Sequence, residues 1–323
     1  MIYQDAAENL KQTDAGAGPG EQDLEQIVEQ SGLRTRPRSA RFPTPSEVVR
    51  YSGKAYKVRA YLDEETAREY QQLISNAERL SIRCYGRVKR FLVLEYLESD
   101  ADSSGNVLED IPQFLVDLAA VPAHRTPDDD FRALCANVEA SDIFRPATME
   151  WVRGYYEKSK TLGIEWGLEY YDAMPRNFAY TEDGRPVSID EKHIRLGPRG
   201  VSLVKMMEQL PAADFAKVKQ AYIAKLGPVP FDESAYHDFL RFYRHLTALG
   251  ALGAFRAREA NIYEHSFHLN RQMILRISGA PAGVLLREEA RWSRYWLHQA
   301  GRFFVKAWWF AERRVKRLLA RSS

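Results

Sequence analysis

The stretch that most constrains the fold of this chain is residues 170–190, where polar side chains recur around a predicted β-hairpin. An apolar strand runs into Asp172, and Asn177 follows in the loop after it. Thr181–Gly184 predicts the hairpin turn, because Asp-Gly adopts positive φ angles at little energetic cost. The second arm of the hairpin ends at Asp190. The segment is therefore predicted to form a strand, a loop and a hairpin, with one carboxylate before the hairpin and one after it.

This order of Asp, Asn, hairpin and Asp resembles the catalytic and metal-binding segments of the protein-kinase-like superfamily. The resemblance implies that Asp172 is the catalytic base or orients the attacking hydroxyl. It also implies that Asn177 and Asp190 hold Mg²⁺ on the phosphates of ATP. The residues by themselves allow a second interpretation, in which the loop Asp and Asn cap backbone amides and Asp190 is an ordinary turn acid.

Composition sets the class of protein. A chain of 323 residues can form two lobes with separate cores, and 45% hydrophobic and 28% charged residues are ordinary for a soluble protein. The net charge is only +2, so we expect no nucleic-acid partner. Cys84 and Cys135 are far apart in sequence and have no metal-ligand spacing, which favours a reduced, cytoplasmic compartment. No apolar run is long enough to predict a membrane span.

Residues 47–62 predict a β-hairpin that turns at Ser52–Gly53. Lys57 alternates with the apolar residues of the second arm, and its surroundings resemble the strand that carries the ATP-phosphate lysine of kinases. Lys54 and Arg59 are alternatives for the same role. A lone strand lysine is otherwise most often exposed to solvent.

A helix is predicted to begin after Asp63, which can cap its first turn. Glu69 lies beside the apolar stripe of this helix. The resemblance implies that Glu69 pairs with Lys57, with Glu65 one turn earlier as the alternative. Without the resemblance, either acid belongs to a solvated helix face.

Two further strands are predicted at residues 82–87 and 91–97, and the second is a continuous apolar run typical of a strand buried on both faces. The polar stretch after it resembles the linker between two kinase lobes. That resemblance implies that the backbone of Glu95, Tyr96 and Leu97 hydrogen-bonds adenine. The alternative is a buried strand followed by a surface loop.

From residue 111 onward the periodicity is mainly helical, and we expect the chain to stay helical beyond Asp190. Helices are predicted at residues 147–161, 201–209, 212–226, 232–250 and 252–277.

Composition predicts a flexible leader (1–40), within which residues 21–30 favour one short acidic helix that could dock on the fold. The resemblance implies a β-rich nucleotide-binding N-lobe (41–98) and a helical C-lobe with the catalytic loop (99–285). A basic, tryptophan-rich helix (286–323) follows. The expected fold class is α+β, a bilobal protein-kinase-like fold. Its N-lobe is a small antiparallel sheet with one helix, and its C-lobe is larger and mostly helical.

The C-terminal helix is predicted to be amphipathic, with its Trp and Phe side chains mainly on one side and Arg and Lys mainly on the other. This combination suits the headgroup region of an anionic membrane. It equally suits a helix docked on the C-lobe with its basic side in water. A helix that is docked at its start and free at its basic end satisfies both interpretations.

The chain departs from eukaryotic protein kinases around the predicted site. Tyr170 stands where they have His, Glu191 and Lys192 follow Asp190 in place of Phe-Gly, and no Gly-rich phosphate loop precedes Lys57. The resemblance is therefore closer to small-molecule kinases and to lipopolysaccharide-core (heptose and Kdo) kinases.

The sequence thus predicts an ATP- and Mg²⁺-dependent kinase. Its expected acceptor is a sugar hydroxyl of a lipopolysaccharide-core-type or other membrane-surface glycolipid. The predicted location is cytoplasmic or peripheral on the cytoplasmic face of the inner membrane. Two alternatives remain: a kinase of a protein or small soluble metabolite, and a kinase-shaped protein that binds or scaffolds without catalysis.

Overall fold

The computed structural model of the chain describes residues 18–35, 45–98, 104–123, 125–226, 231, 233–256 and 264–290. Within these ranges a smaller, sheet-based N-lobe precedes a larger and mainly helical C-lobe. The predicted α+β, bilobal fold class is therefore confirmed.

The N-lobe is built on an antiparallel four-stranded sheet in the order β1-β2-β4-β3. The strands are β1 (Ser46–Tyr51), β2 (Lys54–Ala60), β3 (Cys84–Val88) and β4 (Phe91–Glu95). The predicted hairpin is confirmed, since Ser52 and Gly53 form its turn with φ angles of 48° and 79°. Both positive angles match the two-residue turn whose twist suits an antiparallel hairpin.

A helix covers each face of this sheet. Helix α1 (Glu21–Gln30) buries Leu24, Ile27 and Val28 against one face, and it packs so closely that a Cβ atom at Gly86 would lie 2.5 Å from Leu24 Cδ1. Helix α2 (Glu64–Asn76) packs on the other face and is capped by Asp63, as predicted. The leader predicted to be flexible over residues 1–40 therefore contains a docked helix.

The C-lobe holds two small antiparallel pairs of strands that carry the loop around Asp172. Strand β5 (Trp166–Tyr170) pairs with β8 (Ile194–Pro198), and β6 (Phe178–Tyr180) pairs with β7 (Pro186–Ser188) in the predicted hairpin. The seven long helices described here are α3 (Ser104–Ala119), α4 (Pro127–Ala140), α5 (Pro146–Ser159), α6 (Val201–Gln209), α7 (Ala212–Leu226), α8 (Ser234–Arg256) and α9 (Glu264–Ile277). The bounds predicted for α6 and α7 are confirmed.

Three sequence predictions in the C-lobe are wrong. The chain beyond Asp190 is not all helical, because β8 follows a single 3₁₀ turn and pairs with β5, the strand that leads into the loop around Asp172. Helix α8 continues past residue 250 to Arg256, and α9 begins at Glu264, so no helix starts at residue 252. Helix α4 is an element that the periodicity did not predict. In each case packing against other elements outweighs the local pattern.

The two lobes are joined by backbone hydrogen bonds as well as by the chain linker. Ile82 N donates to Ser188 O at 3.1 Å, and Ser188 N donates to Leu80 O at 3.0 Å. The segment before β3 thus adds to the edge of the β6–β7 hairpin. This junction fixes the end of β7, and therefore Asp190, against the N-lobe.

The beginning of the predicted C-terminal helix docks on the C-lobe. Residues 282–290 are helical, and Glu288 is fully buried, where it accepts hydrogen bonds from Arg145 N and Thr148 Oγ1 at the start of α5. The basic, tryptophan-bearing remainder of that prediction lies outside the described residues. None of the helices in the described part of the chain combines the length and apolar composition that a bilayer span requires.

Candidate active site

The loop after β5 is held in shape by the side chain of Asn177. Its Nδ2 donates to the backbone carbonyl of Asp172 at 2.8 Å, and the backbone carbonyl of Asn177 accepts from Ile189 N at 3.0 Å. The hydroxyl of Tyr170, the residue that replaces the His of protein kinases, donates to the same Asn177 carbonyl at 3.2 Å. The structure therefore brings Asp172, Asn177 and the end of the hairpin together.

A histidine bridges the two aspartates. His193 Nε2 lies 3.3 Å from Asp190 Oδ2 and 3.8 Å from Asp172 Oδ2. Burial lowers the pKa of His193 below its ordinary value, although the hydrogen bond to Asp190 opposes this. The imidazole is therefore mainly neutral near pH 7. It sets the relative positions of the two carboxylates without adding a full charge.

Two cations of the C-lobe contact Asp172. Lys205 of α6 forms an ion pair with Asp172 Oδ1, and Arg176 Nη2 lies 3.6 Å from the same oxygen. Both amine and carboxylate of the Lys205 pair are largely shielded, with 18% and 14% of their side chains exposed. The face of the cleft around Asp172 is consequently positive.

Asp190 is surrounded by donors as well. Arg59 Nη1 lies 2.8 Å from Asp190 Oδ1, and Lys192 Nζ lies 3.3 Å from Oδ2. Burial raises the pKa of Asp190, but the hydrogen bond from His193 and the charges of Arg59 and Lys192 outweigh it. The pKa is therefore held well below its ordinary value, and the carboxylate is available as an anionic ligand at any physiological pH.

Lys57 of β2 faces this segment from the N-lobe. Its Nζ donates to Ile189 O at 2.5 Å and lies 3.9 Å from Glu191 Oε2. Burial and the neighbouring Arg59 lower the pKa of Lys57 to about 8, against the opposing charge of Glu191. The strand lysine therefore lies beside the predicted metal-binding residue, as the sequence interpretation required.

The predicted pair between Lys57 and Glu69 is not formed. Glu69 lies on the outer face of α2, where its half-exposed carboxylate pairs with Arg125 of the C-lobe. Glu65, the alternative, is exposed on the same helix. Helix α2 turns its apolar side to the sheet, so both acids point away from β2. The acid beside Lys57 is Glu191.

The linker predicted to hold adenine lies where β4 ends. Glu95 N already donates to Arg83 O at 2.8 Å, and this bond commits the Glu95 amide to the sheet. Tyr96 and Leu97 follow beyond the strand, with Leu97 packed against the cluster between α2 and β4. Of the three residues whose backbone was predicted to contact adenine, Tyr96 and Leu97 therefore lie outside the paired part of the sheet.

The donor set suits Mg²⁺. The described part of the chain contains no cluster of three or more His, Cys, Asp or Glu residues arranged as metal ligands. However, Asn177 uses its amide nitrogen on the Asp172 carbonyl, which leaves the amide oxygen as its ligand atom, and Asp190 supplies a carboxylate with a depressed pKa. Hard oxygen donors of this kind are the ligands that Mg²⁺ prefers, with water and phosphate completing the shell.

Three residues of the site had no signal in the sequence analysis. Lys205 lies on a helix whose bounds were predicted correctly, but nothing in a linear sequence shows that its side chain reaches Asp172. His193 follows Asp190 by three residues in a stretch predicted to be helical. Glu191 was noted only as a departure from the Phe-Gly that protein kinases have at this point.

The comparisons with known proteins concern the fold. No protein-family model matches the sequence, and no curated protein is similar to it in sequence. Among solved structures, the choline kinase LicA from Streptococcus pneumoniae superposes with a TM-score of 0.55 at 15% identity, over 80% of this chain and 99% of LicA. A structure of LicA in complex with AMP gives a TM-score of 0.50 at 12% identity, over 80% and 100% of the two chains.

The chain has the protein-kinase-like fold. The likeness extends over both lobes, since the aligned share is four-fifths of the chain. At this level of identity it establishes the fold and leaves the chemistry to be argued from the site.

Proposed function

We propose that this protein transfers the γ-phosphate of ATP to a hydroxyl group of a small-molecule or sugar acceptor, with Mg²⁺ as its metal. The observation that carries the proposal is the meeting of Asp172, Asn177 and Asp190 beside Lys57, at the junction of the two lobes. Phosphoryl transfer depends mainly on positioning and on charge stabilisation, and this arrangement supplies both.

Each group has a role in this proposal. Asp172 orients the acceptor hydroxyl, and Asn177 fixes the loop that carries Asp172. Asn177 and Asp190 hold Mg²⁺, which when bound neutralises charge on the phosphates. Lys57 and Arg59 supply positive charge from the N-lobe side. The backbone of Tyr96 and Leu97 is the proposed contact for adenine.

The charge around Asp172 favours an acceptor without a positive charge. Lys205 and Arg176 contact Asp172, and Lys192 lies beside Asp190. These three cations outnumber the two carboxylates that they contact, and the remaining positive charge disfavours a quaternary ammonium such as choline. A sugar, especially one with a neighbouring phosphate or carboxylate, would be attracted. A glycolipid at a membrane surface can carry such a group on its sugar. The basic C-terminal segment predicted from the sequence would then contact the same membrane.

The first test measures nucleotide binding by the thermal shift that ATP causes in the presence and absence of Mg²⁺. Ligand at 100 times its dissociation constant stabilises a folded protein by ~2.7 kcal/mol, which corresponds to a shift of a few degrees. We expect a Mg²⁺-dependent shift for the wild type that Asp190→Ala loses. Asp172→Asn should keep the shift and lose at least about 100-fold in turnover, since it keeps the size but not the charge of the orienting group.

Asp183→Ala is the matched control. Asp183 is an exposed acid in the β6–β7 turn, so this variant removes a carboxylate from the same hairpin without touching the site. It should behave like the wild type. Normal turnover by Asp190→Ala, or loss of nucleotide binding by Asp172→Asn, would contradict the proposed roles.

A second candidate is a protein that binds nucleotide without catalysis. The observation that favours it is the ion pair between Arg59 and Asp190, because the guanidinium occupies an oxygen that the metal would take. Such a protein would bind ATP equally well with Mg²⁺ and with chelator, and would turn none over. The same thermal-shift series separates the two candidates.

A further inference from the structure

Strand β2 contacts three consecutive residues at the end of the hairpin. Side chains on one face of a strand come from every second residue, so Lys57, Arg59 and Tyr61 all point from β2 and its end towards the C-lobe. Lys57 bonds the carbonyl of residue 189, and Arg59 pairs with Asp190. Tyr61 Oη donates to Glu191 Oε1 at 2.9 Å.

Glu191 is the most enclosed member of this set. Its side chain is 0% exposed, and besides the Tyr61 hydroxyl it contacts Arg59 Nε at 3.2 Å and Lys57 Nζ at 3.9 Å. A carboxylate pays a large desolvation cost in such a position unless charged and hydrogen-bonding groups surround it. Arg59 is equally buried, at 2% exposure, so the two groups depend on each other.

The other acids near β2 are committed elsewhere or exposed. Glu65 is in solvent, and Glu69 pairs with Arg125 on the outer face of α2. Asp190 is the proposed metal ligand. Among the described acids, Glu191 is therefore the one whose charge remains beside Lys57 and Arg59 when Asp190 binds a metal.

We infer that Glu191 is a positioning residue of the nucleotide site, which holds the cations of β2 where they meet the phosphates. The inference rests on the proposed function. It adds a glutamate partner for the β2 cations that is not on helix α2, where the resemblance implied one. When a metal takes Asp190, Arg59 loses its contact with that carboxylate. Its Nε contact with Glu191 then keeps the guanidinium in place.

The test compares Glu191→Gln with Glu69→Gln in the full-length protein. Glutamine keeps the size of the side chain and can still accept from Tyr61, so the change removes mainly the charge. Affinity for ADP is measured by calorimetry with chelator present, which makes the readout independent of metal and of turnover. We expect Glu191→Gln to bind ADP at least about 10-fold more weakly, and Glu69→Gln to stay within about 2-fold of the wild type.

Steady-state kinetics and Arg59→Gln separate positioning from a merely structural role. Glu191→Gln should raise KM for ATP more than it lowers kcat, and adding Glu191→Gln to Arg59→Gln should weaken ADP binding little further. A protein that loses thermal stability but binds ADP with wild-type affinity would overturn the inference.

If Glu191→Gln does not fold, Tyr61→Phe decides. It removes only the hydroxyl that holds Glu191 and keeps the ring, which stacks on Tyr70 at 4.9 Å. We expect ADP binding to weaken at least about 3-fold, and an unchanged affinity would overturn the inference. If the wild type itself binds neither ADP nor ATP, the proposed function fails, which is a different result from wild-type binding with unaffected variants.

Discussion

The interior of the C-lobe and the junction between the lobes each bury a glutamate close to the loop around Asp172, but with different partners. Glu169, in β5, accepts hydrogen bonds from Gly200 N at 3.1 Å and Ser202 N at 3.2 Å, and also from the Ser202 hydroxyl. Glu191, at the junction, is held by Arg59 and Tyr61. One acid thus has neutral donors at the start of helix α6, and the other has a buried cation.

The difference shows which buried acids belong to the fold and which to the site. Glu288 combines neutral donors with a cation of its own lobe, since it accepts from Arg145 N at 3.1 Å and Thr148 Oγ1 at 2.6 Å at the start of α5 and lies 3.7 Å from the buried Arg271 of α9. Acids at helix N-termini satisfy free backbone N–H groups and join elements of one lobe. An acid paired with cations of the other lobe instead links the proposed nucleotide site to the proposed metal-binding residue.

The largest expected effect comes from Glu191→Ala. Removing one partner of a buried ion pair costs about 3–5 kcal/mol, because the remaining charge stays buried. We expect the free energy of unfolding to fall by that amount in urea titrations, together with loss of ADP binding. Glu169→Ala, which leaves neutral donors unpaired, should cost about 1–3 kcal/mol and keep ADP affinity. Equal effects on ADP affinity would remove the distinction between the two acids.

The next effect is a pH dependence that belongs to Glu169. Burial raises its pKa to about 7 from an ordinary value of 4.5, and the hydrogen bonds from Ser202 and Gly200 oppose the rise only in part. Since the folded-state pKa is above the unfolded value, its contribution to stability is full below pH 4.5. That contribution is lost as the pH rises through about 7.

Glu169→Gln removes this titration. The free energy of unfolding of the wild type should fall by about 2 kcal/mol relative to that of the variant when the pH rises from 5 to 8. Each unit by which folding shifts the pKa of Glu169 contributes about 1.4 kcal/mol. Urea titrations of both proteins at the two pH values measure it. A stability difference that stays constant with pH would show that Glu169 does not titrate in this range.

A smaller effect is expected at the C-terminal docking point. Glu288→Gln should cost about 1–2 kcal/mol, because glutamine keeps the oxygen that accepts both bonds from the start of α5 and loses only the charge that faces Arg271. Ending the chain after Ala290 keeps Glu288 and should leave the melting temperature almost unchanged. The same truncation should abolish cosedimentation with phosphatidylglycerol vesicles if the basic helix meets the membrane. Undiminished binding to those vesicles would contradict the membrane prediction.

Short-range features of the fold could be predicted from the sequence. The hairpins turning at Ser52–Gly53 and at residues 181–184 depend on residues that tolerate positive φ, and their chemistry is visible in a few adjacent letters. The order of Asp172, Asn177 and Asp190 depends on spacing along one strand, loop and hairpin. Helices α6 and α7 depend on local periodicity, and Gly227-Pro228 marks a break after α7.

The partners of the charged side chains could not be predicted in this way. Glu69 was assigned to Lys57 because it lies near the apolar stripe of α2, yet the helix rotates both of its candidate acids outward. A small rotation of a helix moves a carboxylate from a cleft to solvent without changing any local pattern. Strand β8 was missed for a related reason, because its identity as a strand comes from pairing with β5.

The sequence by itself determined the turns and the order of Asp172, Asn177 and Asp190 around the hairpin, because each follows from residues that are near neighbours in the chain. The division into lobes was implied by the resemblance. Only the tertiary structure decided that Lys205 and His193 reach Asp172 and that Glu191 receives Arg59. Those contacts join residues far apart in sequence, and a buried charge takes whichever partner the packing of the two lobes brings within reach.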